Sequence, residues 1–329
     1  MNLARRQFLQ LAAGATALPA VSRFAWAQTY PLRPITMIVP FGTGGPTDTI
    51  ARLMAEAMRT SLGQAVIIEN VIGAAGSVGM GRVARAAPDG YTLGYGVWAT
   101  HVVNAAAYAL PYNVLTDFEP ISLIASTPWL IVAKNAVPAN DLKGLIAWLK
   151  GNPDKALVGS TGVGTPGHVG GVLFQTMTGA RFQFVPYRSS APVVQALLAG
   201  EIDMAILDPV TSLPQLRAGK IKAYAITGKT RLPAAPGIPT VDEAGLPGLH
   251  LTPWHGIWAP KRTPKDIISK LNAAVVDALA NSVVRERIAD QGMGIPPREQ
   301  QTPDGLRAFQ KAEIEKWWPI MKAANIKGE

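Results

Sequence analysis

The chain contains no cysteine in its 329 residues. That excludes disulfides, a thiol nucleophile and any cysteine-based metal site. Runs of one charge are missing too. Lysine and arginine number 31 against 22 acidic residues, without a basic cluster, which is poor ground for a nucleic-acid surface. A moderate positive excess does favour drawing small anions into a cleft. Beyond the N-terminal segment no stretch reaches the roughly 20 apolar residues of a membrane helix. The four histidines, His101, His168, His250 and His255, have no second ligand at metal-site spacing. There is no GxSxG elbow and no carboxylate pair at strand ends. These absences point away from an enzyme, and the expectation is no catalytic residue, no metal and no cofactor.

The chain does have an N-terminal segment of separate character. Arg5 and Arg6 precede an apolar stretch from Phe8 to Val21, and Ala25-Trp26-Ala27 has the small-residue pattern of a cleavage site. This is the layout of a secretory signal cut between Ala27 and Gln28. The adjacent arginines followed by Gln7, Phe8 and Leu9 resemble a twin-arginine signal, with an ordinary Sec signal as the alternative. Either route ends in the periplasm. Loss of Arg5, Arg6 and Arg23 lowers the net charge from +9 to +6.

In the remainder, β-rich runs alternate with helical patterns. "ITMIVPF", "AVIIEN", "YTLGYG", "ALVGST", "FQFVPY", "MAILD" and "KAYAIT" read as strands. "TIARLMAEAMRTSLG", "DLKGLIAWLKGNP", "HVGGVLFQTMTG" and "APVVQALLAGE" read as helices, several closing on glycine. Such alternation predicts an α/β protein with mostly parallel, buried strands. Two extended segments interrupt it: "ISLIASTPWLIVAKN" around Pro128 and "HLTPWHGIWAPK" around Pro253. They read as paired crossovers between two lobes, with the helical tail folding back on the first. The expected division is residues 28–126 and 253–329 for lobe 1 and 127–252 for lobe 2.

Ligands of open α/β sheets sit at strand carboxyl ends, where loops enter helix N-termini. Two glycine loops qualify, Gly42 to Asp48 and Gly159 to His168. Each can aim backbone N–H groups at an anion with a helix dipole behind them, or each can simply make a tight turn. Neither matches a dinucleotide fingerprint or a phosphate loop, since Gly42 and Gly44 are followed by Asp48 rather than by a third glycine in register, and no lysine is near.

Longer stretches carry a resemblance. "YPLRPITMIVPFGTGGPTDTIARLMAEAM", "GQAVIIENVIGAAGSVGMGRVARAAPDGYTL", "TPGHVGGVLFQ", "VPYRSSAPVVQALLAGEIDM" and "LPAAPGIPTVDEAGLPG" resemble the Bug family, the periplasmic solute-binding proteins of tripartite tricarboxylate transporters. The resemblance implies the two-lobed type II periplasmic binding fold, a monomer, and capture of a small organic carboxylate for a membrane permease. It leaves open a related role as the sensing partner of a membrane regulator. By position it implies ligand contacts from Phe41, Thr43, Gly44, Gly45, Thr47 and Asp48 in the first loop. Ser160, Thr161, Gly164, Thr165 and His168 would face them, partly through ordered waters.

Roles differ among these residues. An ionised Asp48 would repel a carboxylate, so its expected task is to order the loop by accepting backbone N–H bonds. His168 either orients a water or is structural. Asp208, ending "MAILD", either meets a polar ligand group or caps a helix. The chain departs from the family after "YTLGYG", where Val97 and Trp98 precede Ala99, Thr100 and His101. Trp98 is expected to offer a flat cleft wall or to pack under the next helix, and Thr100 and His101 are expected at the ligand. With Arg188 of "VPYRSS" holding a second carboxylate, the expected ligand is an aromatic dicarboxylate such as a phthalate isomer. An aliphatic di- or tricarboxylate or an amino acid is the alternative. Exported protein is expected to begin at Gln28; N-terminal sequencing that still returned Met1 would refute the signal.

Overall fold

A computed structural model describes residues 30–327. The signal segment, with its arginine pair and its cut after Ala27, lies outside the described residues. One sheet contains β1 (Ile35–Val39), β2 (Val66–Asn70), β3 (Thr92–Val97), β4 (Phe118–Ser126) and, from far along the chain, β10 (Trp254–Pro260). Their order is β2-β1-β3-β10-β4. The second sheet has β5 (Leu130–Lys134), β6 (Leu157–Ser160), β7 (Gln183–Pro186), β8 (Met204–Leu207) and β9 (Ile221–Ile226), ordered β7-β6-β8-β5-β9.

The helices are α1 (Pro46–Leu62), α2 (Ser77–Ala84), α3 (Asn104–Ala107), α4 (Leu142–Gly151), α5 (Pro166–Thr178), α6 (Ser190–Ala199), α7 (Pro209–Arg217), α8 (Lys265–Ala280), α9 (Ser282–Asp290) and α10 (Pro303–Ala323). Proline opens α1, α5, α7 and α10. The first helical residue has no acceptor for its N–H, so proline loses nothing there. Ile35, Met37 and Val39 of β1 alternate to one face, where they share a core with Ile50, Met54 and Met58 of α1 and Leu271 and Val275 of α8. Each such fully buried aliphatic side chain contributes roughly 1.5–3 kcal/mol. The helical tail thus returns to the first sheet.

The expectation of mostly parallel sheets is corrected to two mixed ones. β2-β1-β3 and β7-β6-β8 are parallel, but β10 runs antiparallel to β3 and β4, and β5 antiparallel to β8 and β9. A parallel neighbour requires a helical crossover that carries the chain back. β4 and β5 are nearly continuous, so the chain passes from one sheet into the other without being turned around. The two connections between sheets lie side by side. Thr127 N donates to Pro253 O at 2.9 Å, Trp129 N to the Thr227 hydroxyl at 2.8 Å, and that hydroxyl to Leu251 O at 2.6 Å.

Gly96 and Gly256 face each other across β3 and β10. Over this bare patch the His101 and Trp258 rings stack at 3.7 Å. A Cβ on Gly96 would fall 2.2 Å from His101 and 2.7 Å from Trp258, so the pair needs the slot. Gly96→Ala is therefore expected to lower the urea unfolding midpoint by an amount equivalent to roughly 1–3 kcal/mol. Gly151→Ala, with nothing within 4 Å of its Cβ, is the control. Equal midpoints for the two variants would show that the slot carries no such constraint.

Candidate functional site

A cavity of about 480 Å³ opens between the two sheets. The first sheet's side supplies Phe41, Pro46, Thr47, Trp98 and His255, and the second supplies Thr161, Gly164, Thr165, Pro166 and Asp208. Thr127, Trp129, Pro253 and Trp254, in or beside the connections, line it as well. No lysine or arginine is among the lining residues. Any anion held here must be compensated by dipoles.

Three helix N-termini are placed for that. α1 begins after Gly45, α5 after Thr165 and α6 after Ser189, with Ser190 on the lining; none has a side-chain cap. The Thr165 hydroxyl is turned away, donating to Gly162 O at 2.7 Å. By contrast Asp141, Asp208, Asn281 and Thr302 cap α4, α7, α9 and α10 with their own side chains. An uncapped first turn leaves N–H groups unpaired and its positive dipole end available to a ligand.

The first loop is fixed from below. Asp48 is 1% exposed. Its Oδ2 accepts from Gly44 N and from Arg52 Nε, each at 2.9 Å, and its Oδ1 from Asn70 Nδ2 at 2.9 Å. The same Asn70 amide group donates to Phe41 O at 2.8 Å, and its Oδ1 accepts from Arg52 Nη2 and the Thr43 hydroxyl, each at 3.1 Å. Burial by itself would raise the Asp48 pKa. The hydrogen bonds from Arg52, Gly44 and Asn70, with the Arg52 charge, outweigh it and bring the carboxyl down to about 2.

Of the residues expected at a ligand, Phe41, Thr47, Trp98, Thr161, Gly164, Thr165 and Asp208 line this cavity. Thr43, Gly44, Gly45 and Asp48, in the same loop, are not among the lining residues. Ser160 is buried and accepts from Tyr187 N through its carbonyl. Three expectations are corrected. Thr100 is buried because the chain makes a π turn at Ala99–Val103, which folds its hydroxyl back onto Val97 at 3.0 Å. His101 is buried in the stack with Trp258, and its burial pulls its pKa down to about 3. Arg188 is exposed and lies off the lining.

His168 also stays off the lining, tilted against Phe184 at 4.6 Å with its Nδ1 unpartnered. Asp208 lines the cavity but spends one oxygen as a cap, accepting from Thr211 N and its hydroxyl at 2.9 and 3.1 Å. Trp98 packs against the C-terminal helix and also reaches the lining. It is 1% exposed and packs edge-on to Trp317 at 5.2 Å, yet it forms part of the cavity wall. Arg52 and Asn70 escaped notice; Arg52, one helical turn after Asp48, was the legible one of the two. Trp129 and Trp254, in or beside the connections, are wall residues too.

The family model described as tripartite tricarboxylate transporter family receptor matches residues 50–326. The chain belongs to this receptor family, that of the Bug proteins. Protein BugT of Bordetella pertussis is 35% identical over 303 residues, 92% of each chain. MatC of Rhodopseudomonas palustris, solved with bound malate, is 39% identical, with a TM-score of 0.77 over 88% of this chain and 99% of that one. A second R. palustris protein, solved with adipate, is 33% identical, with a TM-score of 0.79 over 91% of this chain and 99% of its own. The two-sheet α/β fold of this receptor is thus the periplasmic binding fold of the family.

In this receptor Asp48 has a defined pH signature. Its pKa is lowered in the folded state, so its stabilising contribution is present above the ordinary value of 3.8 and is lost as pH falls from there toward about 2. Asp48→Ala is expected to cost roughly 1–3 kcal/mol at neutral pH. Urea titrations at descending pH should show the gap to wild type narrowing between pH 4 and pH 2.5, a window taken from the same shift. A gap that stayed constant through that window would contradict the assignment.

Proposed function

We propose that the protein is a periplasmic receptor that captures a small organic carboxylate in the cavity between its sheets and delivers it to the membrane subunits of a tripartite tricarboxylate transporter. One observation carries the reading: helices from both sheets, α1 beside the first and α5 and α6 beside the second, bring uncapped N-termini to a single cavity whose lining has no lysine or arginine. The malate and adipate held by the R. palustris relatives are ligands of the same chemical class.

The cavity walls narrow the class. Phe41, Trp98, Tyr108, Trp129 and Trp254 surround the space with rings, and a flat apolar body gains roughly 0.5–1.5 kcal/mol per aromatic contact beyond simple burial. That favours an aromatic carboxylate. Each helix N-terminus can take one carboxylate, so a dicarboxylate such as a phthalate isomer fits without Arg188. Micromolar affinity requires roughly 8 kcal/mol, about 0.8 kcal/mol per atom for a ligand of about ten heavy atoms, which calls for most of the ligand to be enclosed.

The test is a thermal-shift and calorimetry panel of aliphatic and aromatic acids, each beside its uncharged amide. A bound acid at 100 times its dissociation constant should stabilise by about 2.7 kcal/mol, with the matching amide giving little or no shift. Aromatic dicarboxylates should bind most tightly. Equal binding of acid and amide would remove the anion reading, and a response confined to aliphatic acids would remove the aromatic one.

A further inference from the structure

Beneath the aromatic wall lies a carboxylate for which carboxylate capture supplies no direct use. Glu313, on the C-terminal helix α10, is half-buried. Its Oε2 accepts from Trp317 Nε1 at 3.2 Å and from Trp254 Nε1 at 3.4 Å. Trp254 is itself a lining residue, and Trp317 stands edge-on against the lining residue Trp98 at 5.2 Å. An indole has one polar atom, a donor, and its direction sets the rotation of the ring. Two indoles that share one acceptor are therefore locked relative to each other.

We propose that Glu313 is a positioning residue for ligand recognition: its carboxylate fixes the indoles of Trp254 and Trp317, and through Trp317 that of Trp98, so that the cavity wall presents a set aromatic face. This rests on the carboxylate-receptor reading above. The neighbouring contacts of α10 fit such a clamp. Phe309 packs edge-on to Trp254 at 5.6 Å. Lys316 donates to His250 O at 2.6 Å while its ammonium lies 4.6 Å from the Trp317 ring centre. Trp318 Nε1 donates to Val102 O at 2.9 Å, gripping the π turn that follows Trp98.

The choice of residue is informative. Burial raises the pKa of the Glu313 carboxyl, and the Lys316 charge with hydrogen bonds from Trp254 and Trp317 offsets only part of that. A side chain that merely filled this space would be better apolar, since burying a carboxylate costs free energy even when it is partnered. A fixed acceptor shared by indoles is what an apolar residue cannot supply.

The experiment compares Glu313→Leu with Glu313→Gln, which keeps an oxygen acceptor without the charge. In ligand-free protein, the indole N–H resonances of Trp254 and Trp317 should move in Glu313→Leu and stay near their wild-type positions in Glu313→Gln. Calorimetry with malate, adipate, benzoate and terephthalate should show the tightest wild-type binder weakened about tenfold in Glu313→Leu and no more than about threefold in Glu313→Gln. The loss should be larger for the flat acids than for the aliphatic ones, a selectivity change that general destabilisation would not produce. Unmoved indole resonances in Glu313→Leu, or wild-type affinities in that variant, would overturn the proposal. Wild-type protein that bound none of the four acids would instead bring down the carboxylate reading, and the indole resonances would decide on Glu313 alone.

Discussion

The site depends on neutralising Asp48 within its own loop. A buried negative charge one turn into α1 would cancel the positive dipole end that the helix offers to an anion. Arg52, four residues on, removes that conflict by closing an ion pair with Asp48 on the helix's own surface. Asn70 and Gly44 take up the remaining carboxylate lone pairs. The result is a loop whose single charge is paired from the helix that follows it. Its backbone is ordered before a ligand arrives, and the ordering entropy is not charged to binding.

The aromatic wall follows similar logic in apolar terms. Trp98, Trp254, Trp258 and Trp317 are each 1% exposed or less, so the wall is core on one side and cavity on the other. Glycine at positions 96 and 256 lets Trp258 and His101 lie flat on the sheet. The indole of Trp254 stacks at a tilt on Trp258 at 5.8 Å, so the glycine slot is connected to the cavity through one ring. A change in the slot therefore reaches the ligand face by packing alone.

Much of this was legible from residues. Strand–helix alternation gave the two sheets, and Gly42–Asp48 and Gly159–His168 gave the loops, because glycine and proline at helix starts are local signals. The mixed sheets were less visible: a strand's direction depends on which neighbour it meets, and β4 and β5 look alike in any register of the sequence. Thr100 and His101 were misread for a related reason. They follow a strand at its carboxyl end, where cleft residues belong, but a π turn rotated them into the core. Arg188 was placed by chemistry alone, and nothing in its surroundings holds it at the cavity. Glu313 lies 59 residues from Trp254, and no local pattern links a helix carboxylate to an indole on a distant strand.

The absence of cations from the lining has a consequence for how the protein holds and releases its ligand. An arginine in one wall would bind a carboxylate from that wall alone, and the bound anion would stay when the sheets part. Here each helix terminus offers only a partial charge, about half an elementary charge. One terminus in open water, where interactions are weakened by the high dielectric constant, holds a carboxylate poorly. Helix termini from both sides of one cavity hold it better, because their dipoles act on the same anion with less intervening water. Affinity is then tied to the juxtaposition of the two sheets, and the connections at Thr127–Trp129 and Leu251–Pro253, hydrogen-bonded side by side, set that juxtaposition. Anything that draws the sheets apart lowers affinity at both ends of the ligand together. On the proposed function, the anion is gripped from both sheets at once rather than by a permanent ion pair in either.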